Sequence, residues 1–214
     1  MAREIVTSEN KEEYDKKKLG IKNNDLTLYH GSPNYFTNFD ISKENTGAGH
    51  QNFGHGVYLS SSKNVSKHYK SEKLTDNKNG HLYEVNVSKE HKDKILDWDK
   101  PISEQTEHIK NLYNKFTESE LGKKADKSLN NYISQKKGEY KNPTGKDLHS
   151  AIYEAHASKE GNENKKTSEY LEKNGLIGIK YMDYKSGNAE HGVQNHVIFN
   201  PKHIKIKKIN NKSI

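Results

Sequence analysis

Apolar residues alternate with polar ones in short stretches near both ends of the chain, and fall at helical spacing through its middle. Leu26 to Tyr29 alternates, as does Gly56 to Ser60, with Val57 and Leu59 on one side and Tyr58 on the other. That period of two is the signature of a half-buried strand. Leu82 to Val87 repeats it most cleanly, and Ile177 to Tyr184, Asn195 to Phe199 and Ile204 to Ile209 complete the strands. Ser62 stands where it would cap a helix that carries Val65 and Tyr69 on one face. Residues 103–143 place Ile109, Leu112, Tyr113 and Phe116 at helical spacing amid many lysines, and read as a helical insertion on the surface. Thr144 with Asp147 has the form of a capping box with Asp in place of Glu. Leu148, Ile152 and Ala155 then line one helical face, and a further helix stops at Asn174-Gly175. Strands at both ends, helices between and no β-α-β alternation predict an α+β fold built on antiparallel pairing.

Polar punctuation sets the remaining boundaries. Residues 1–24 are a polar, Lys/Glu-rich extension in which Glu9 to Lys18 has the character of a short surface helix. Gly31-Ser32-Pro33-Asn34 closes the first strand, and Asn45 to Asn52, with Gly47 and Gly49, reads as a loop. Residues 25–214 are expected to form a single domain.

Composition changes this picture little. Apolar residues make up 29% of the chain and charged ones 30%, so the core is small, and thirteen tyrosines supply much of its buried area. The formal charge of +7 comes from 36 basic and 29 acidic residues, well mixed. The densest basic stretch, Lys202 to Lys208, alternates with apolar residues as a half-buried strand would. Absence of cysteine excludes disulfides and thiol chemistry and suits a reducing compartment. No apolar run approaches the roughly 20 residues needed to cross a bilayer, and the first residues lack the apolar core of a signal peptide. The expected location is the cytoplasm of a bacterial host, with no membrane partner. His50, His55 and His68 follow no standard zinc spacing, so no metal is expected.

The chemistry sits in two short motifs. His30-Gly31-Ser32 ends one strand, and Gly54-His55-Gly56-Val57-Tyr58 opens the next. Tyr69 follows eleven residues after Tyr58, with Ser66 one helical turn before it. Singly, His30 reads as a turn-capping histidine and the tyrosines as packing residues. In this order and at this spacing, the motifs resemble the His-Tyr branch of the ADP-ribosyltransferases, which includes diphtheria toxin and the poly(ADP-ribose) polymerases. Leu96 to Pro101, Gly178 to Asp183 and Asn195 to Asn200 extend the likeness to the ADP-ribosyltransferase domains of polyvalent phage and mobile-element proteins.

The resemblance implies a split β-sandwich of two small antiparallel sheets with peripheral helices, NAD lying between them as substrate. It implies that His30 bonds the adenosine ribose and that Tyr58 and Tyr69 enclose the nicotinamide. Gly31 and Ser66 would hold the carboxamide, with Ser32 also at the cofactor. Asn195 stands at the third catalytic position, commonly Glu in the superfamily; Gln194 beside it and Glu190 in the preceding loop are the alternatives. An amide can bond a ribose hydroxyl but cannot act as a carboxylate base, which favours single transfer over chain growth. The expected activity is mono-ADP-ribosylation of a macromolecule, RNA or DNA slightly ahead of protein, by a toxin or phage-conflict effector with an antitoxin or immunity partner. An NAD glycohydrolase and an inactive NAD-binding module are the alternatives.

Overall fold

The computed structural model describes residues 25–43, 52–71, 80–125, 142–157, 161–183 and 192–214. The expected helix at Glu9–Lys18, nearly all of the 45–52 loop, residues 126–141 and Glu190 lie outside the described residues. In chain order the described elements are β1 (Leu26–Ser32), β2 (Val57–Ser60), α1 (Lys63–Ser71), β3 (His81–Val87), β4 (Ile95–Asp97), α2 (Glu107–Glu118), α3 (Gly145–Ala155), α4 (Glu163–Lys173), β5 (Gly178–Met182), β6 (Gln194–Ile198), β7 (Ile204–Ile209) and β8 (Lys212–Ser213). The fold is α+β. Eight strands form one mixed sheet in the order β4-β5-β6-β2-β1-β3-β7-β8.

The sheet is continuous, where two separate sheets were expected, but its middle joint is slight. β1 pairs with β3 over seven residues, from Leu26 opposite Val87 to Ser32 opposite His81, and β2 pairs with β6 over four. β1 meets β2 at a single pair, Tyr29 opposite Ser60. β1 also runs on through Gly31 and Ser32, so the turn begins later than the glycine suggested.

The pairing is not wholly antiparallel: β4 lies parallel to β5, with Ile95 opposite Gly178 and Asp97 opposite Lys180. Parallel neighbours require a long crossover, and the whole helical stretch from α2 to α4 supplies it. The described part of the segment read as a surface insertion shares a core with the sheet. Ile109, Leu112 and Phe116 of α2 are buried in one core with Leu148 and Ile152 of α3, Leu171 of α4, and Leu96, Ile179 and Val197 of the sheet. The chain is helical again at 120–125. β4 escaped the sequence reading because three residues are too few to display a period.

Local signals account for the helix ends. Ser62 Oγ accepts from the Val65 amide at 3.4 Å, at the start of α1. At α3, Thr144 Oγ1 accepts from the Asp147 amide while the Asp147 carboxylate accepts from the Thr144 amide at 2.8 Å, closing the expected capping box. α4 ends at Gly175 with φ of 89°, a left-handed stop that glycine adopts without a Cβ penalty. The second core lies on the other side of the strands. It spans the β1–β2 joint, with Leu28, Tyr83 and Val85 from one half and Val57, Ile95 and Ile198 from the other. Among the described residues, no helix is long and apolar enough to cross a membrane.

Candidate active site

The β1–β2 joint is where the motif residues meet. If its register continued, Gly31 would stand opposite Tyr58. Instead the His30 ring takes the next rung, its Nδ1 lying 2.8 Å from the Tyr58 carbonyl. A carbonyl only accepts, so Nδ1 carries the proton and Nε2 keeps its lone pair in the neutral ring. Burial pulls the His30 pKa below the usual histidine value, outweighing the opposing pull of that carbonyl bond. Phe39 meets the ring edge-on at 5.2 Å between centroids, and Phe36 and Tyr83 flank it at 6.1 Å. His30 is thus a neutral, rigidly held acceptor.

The Gly-x-Gly motif preceding Tyr58 has a packing cause. Gly54 has φ of 121°, and a Cβ there would come within 2.8 Å of Ser168 Oγ, the atom that also accepts from the His55 amide at 2.9 Å. A Cβ on Gly56 would stand 2.6 Å from the Ile198 carbonyl oxygen. The Tyr58 hydroxyl closes this turn from within, donating to the Gly54 carbonyl at 2.9 Å and accepting from the Phe53 amide at 3.2 Å. The Tyr58 ring is therefore immobilised from its own loop as well as from β2.

Gly31 answers to a different neighbour from the one the motif suggested. A Cβ on it would run into the Ser66 carbonyl oxygen and approach the Lys70 amide, so glycine is what lets α1 lie on β1. The same close approach brings Ser66, itself buried, alongside the Gly31 backbone. Tyr69, expected on the apolar face with Val65, is 38% exposed while Val65 is 2% exposed. Its ring meets that of His68 edge-on at 5.7 Å between centroids. The Ser32 hydroxyl accepts from the Asn34 amide at 3.1 Å and is occupied in that turn.

Two residues without an assigned role in the sequence reading complete the group. Tyr181 stands opposite Asn195 in the β5–β6 pairing, and its ring stacks on Phe53 at 3.6 Å with 6° between planes. Burial holds the Tyr181 phenol far above its usual value; the nearby Tyr58 and Tyr69 hydroxyls and the Asp183 carboxylate add to this, and the Asn195 amide opposes it. Tyr181, Asp183 and Asn195 are one neighbourhood at the β5–β6 pairing. Asn195 Nδ2 donates to Asp183 Oδ2 at 3.0 Å, and Asn195 Oδ1 is buried with no hydrogen-bond partner among the described residues. Ile179, Tyr181 and Asp183 follow one another at strand spacing, a signal visible in the sequence once β5 is placed. The Gln194 backbone pairs with Ser61, its N–H donating to Ser61 Oγ at 2.9 Å and its carbonyl accepting from the Ser61 N–H at 2.8 Å.

β7 is separated from β6 by β2, β1 and β3, roughly 19 Å across a flat sheet at about 4.8 Å per strand. Lys208 is paired with Glu84 at 2.8 Å and Lys202 with Glu172 at 3.5 Å. β7 is two strands from β1, which carries His30 and Gly31. A groove of about 470 Å³ beside β7, lined among others by Phe39, Lys202, Lys205 and Ile214, includes none of the motif residues. Among the described residues, no group of three His, Asp or Glu side chains could hold a metal ion. No family model matches the chain, and no curated protein matches it.

Proposed function

We propose that the protein cleaves NAD between nicotinamide and ribose and transfers the ADP-ribose to a macromolecule. The observation that carries the reading is the β1–β2 joint of one pair, with the His30 ring on the Tyr58 carbonyl, the Ser66 backbone against Gly31 and Asn195 opposite Ser60 on the next strand. On this reading the fold is an ADP-ribosyltransferase-like split sheet, and NAD crosses the split. Its nicotinamide lies between Tyr58 and Tyr69, and its carboxamide meets the Gly31 backbone and the Ser66 hydroxyl. The neutral His30 accepts a hydroxyl of the adenosine ribose at Nε2. The Asn195 amide oxygen accepts one from the other ribose.

The bond to nicotinamide breaks with its electron pair leaving on the ring nitrogen, giving a neutral leaving group and an oxocarbenium-like carbon. Fixing both riboses while the charge develops is the protein's contribution. The acceptor nucleophile then attacks that carbon, and its proton passes to solvent. Asn195 provides no carboxylate base, which suits a single transfer. The setting we propose is a conflict effector acting in bacterial cytoplasm, held in check by an antitoxin or immunity partner. The acceptor is a macromolecule, RNA or DNA slightly ahead of protein.

Incubating the protein with NAD labelled on the adenylate and a bacterial lysate, then separating protein from RNA, tests the proposal. Label is expected in one macromolecular fraction together with free nicotinamide. Nicotinamide released with all label in free ADP-ribose would make the protein a glycohydrolase. Tight NAD binding without release would make it a binding module.

A further inference from the structure

The amide at the third position has a specific neighbour. Asp183 follows β5 and is pinned at the base of the β5–β6 hairpin, its amide donating to the Val193 carbonyl at 2.9 Å. Its carboxylate takes the Asn195 Nδ2 hydrogen at 3.0 Å. An ionised carboxylate can only accept, so this contact dictates which way the amide points: nitrogen toward Asp183, oxygen away. That oxygen is the buried Oδ1 left without a partner among the described residues. Leaving a buried acceptor unsatisfied costs about 1–3 kcal/mol, a cost that a hydroxyl donor from a ligand would relieve. Tyr181 stands opposite Asn195 in the β5–β6 pairing.

We infer that Asp183 is a positioning residue of this site, locking the Asn195 amide so that Oδ1 faces a hydroxyl of the nicotinamide-side ribose. The inference rests on the NAD reading above. It also explains why an amide, not a carboxylate, occupies position 195. A glutamate or aspartate there would set two like charges about 3 Å apart, and one of them would stay protonated. The carboxylate stands just after β5, at Asp183, and acts through the amide.

Nicotinamide release from NAD by the full chain tests this, with thermal unfolding as the check on folding. Asp183→Ala and Asn195→Ala are each expected to lower kcat by about tenfold to a hundredfold. The double variant should lose no more than the worse single one, because both remove the same oriented oxygen. The swap Asp183→Asn with Asn195→Asp keeps one carboxylate and one amide in contact, and should recover at least part of what Asn195→Asp alone loses. Native turnover by a folded Asp183→Ala would overturn the inference, as would a double-variant loss equal to the product of the single losses. If the single alanine variants do not fold, the swap decides alone, and no recovery overturns the inference. Wild-type protein that releases no nicotinamide overturns the NAD reading itself and this inference with it.

Discussion

Beside the Tyr29–Ser60 pair, the His30 imidazole bridges β1 to β2 and, on the proposed reading, receives the substrate. His30 Nδ1 is spent on the Tyr58 carbonyl, which leaves Nε2 for the ribose. His30→Ala and Tyr58→Ala are each expected to reduce nicotinamide release by about two to three orders of magnitude, read as initial rates. Tyr58→Phe separates stacking from anchoring. It keeps the ring but strands the Phe53 amide and the Gly54 carbonyl. The expected outcome is a stability loss of about 1–3 kcal/mol by denaturant titration, with NAD turnover kept within about tenfold. Gly31→Ala is expected to be far more damaging, because its methyl meets α1 backbone rather than a side chain that could turn away. Loss of the cooperative unfolding transition is the outcome to look for.

At this scale the sequence was informative where chemistry is local. His30, Gly31, Tyr58, Ser66 and Tyr69 lie in two short stretches, and their order alone pointed to them. Tyr181 and Asp183 were legible only as part of a matched segment, because what gives them a role is a cross-strand register: Tyr181 opposite Asn195. The reason for Gly31 was likewise hidden, since the neighbour that demands it lies on a helix more than thirty positions away.

Among the elements, the strands and helices with a clear period or a capping pair were legible, and α3 with its Thr144–Asp147 box is the clearest case. β4 and the parallel pairing were not. Ile95 and Gly178 are brought together by a crossover, and nothing in three residues announces a partner that distant. The same blindness made α2 look like decoration, because its lysines are visible in the sequence while the depth of Ile109, Leu112 and Phe116 is not. Leu112 is 3% exposed and Phe116 also 3%. Leu112→Ala is expected to cost about 2–5 kcal/mol and Phe116→Ala about 3–5, measured by denaturant titration. Losses below about 1 kcal/mol would return α2 to the surface.

Two buried imidazoles make the whole molecule sensitive to acid. His149 lies against Trp98, and burial lowers its pKa to about 4. His196 is brought to about 4 mainly by burial, with Lys180 adding to the fall and Asp97 opposing it. Between pH 6.5 and about 4 the unfolded chain binds these protons and the folded chain does not. Stability present above pH 6.5 is therefore lost as the pH falls. At about 1.4 kcal/mol per pH unit, each histidine accounts for up to about 3 kcal/mol by pH 4. Denaturant titrations from pH 7 to pH 4 should show this slope, and His149→Phe should flatten part of it.

On the proposed reading, the β1–β2 joint is where NAD is cleaved. The most direct measurement is nicotinamide release from NAD by the purified chain, wild type against Tyr58→Ala, each shown to be folded. Steady release by the wild type, lowered at least a hundredfold in the variant, is the result this account predicts. No release from folded wild-type protein, or release that Tyr58→Ala leaves unchanged, would contradict it.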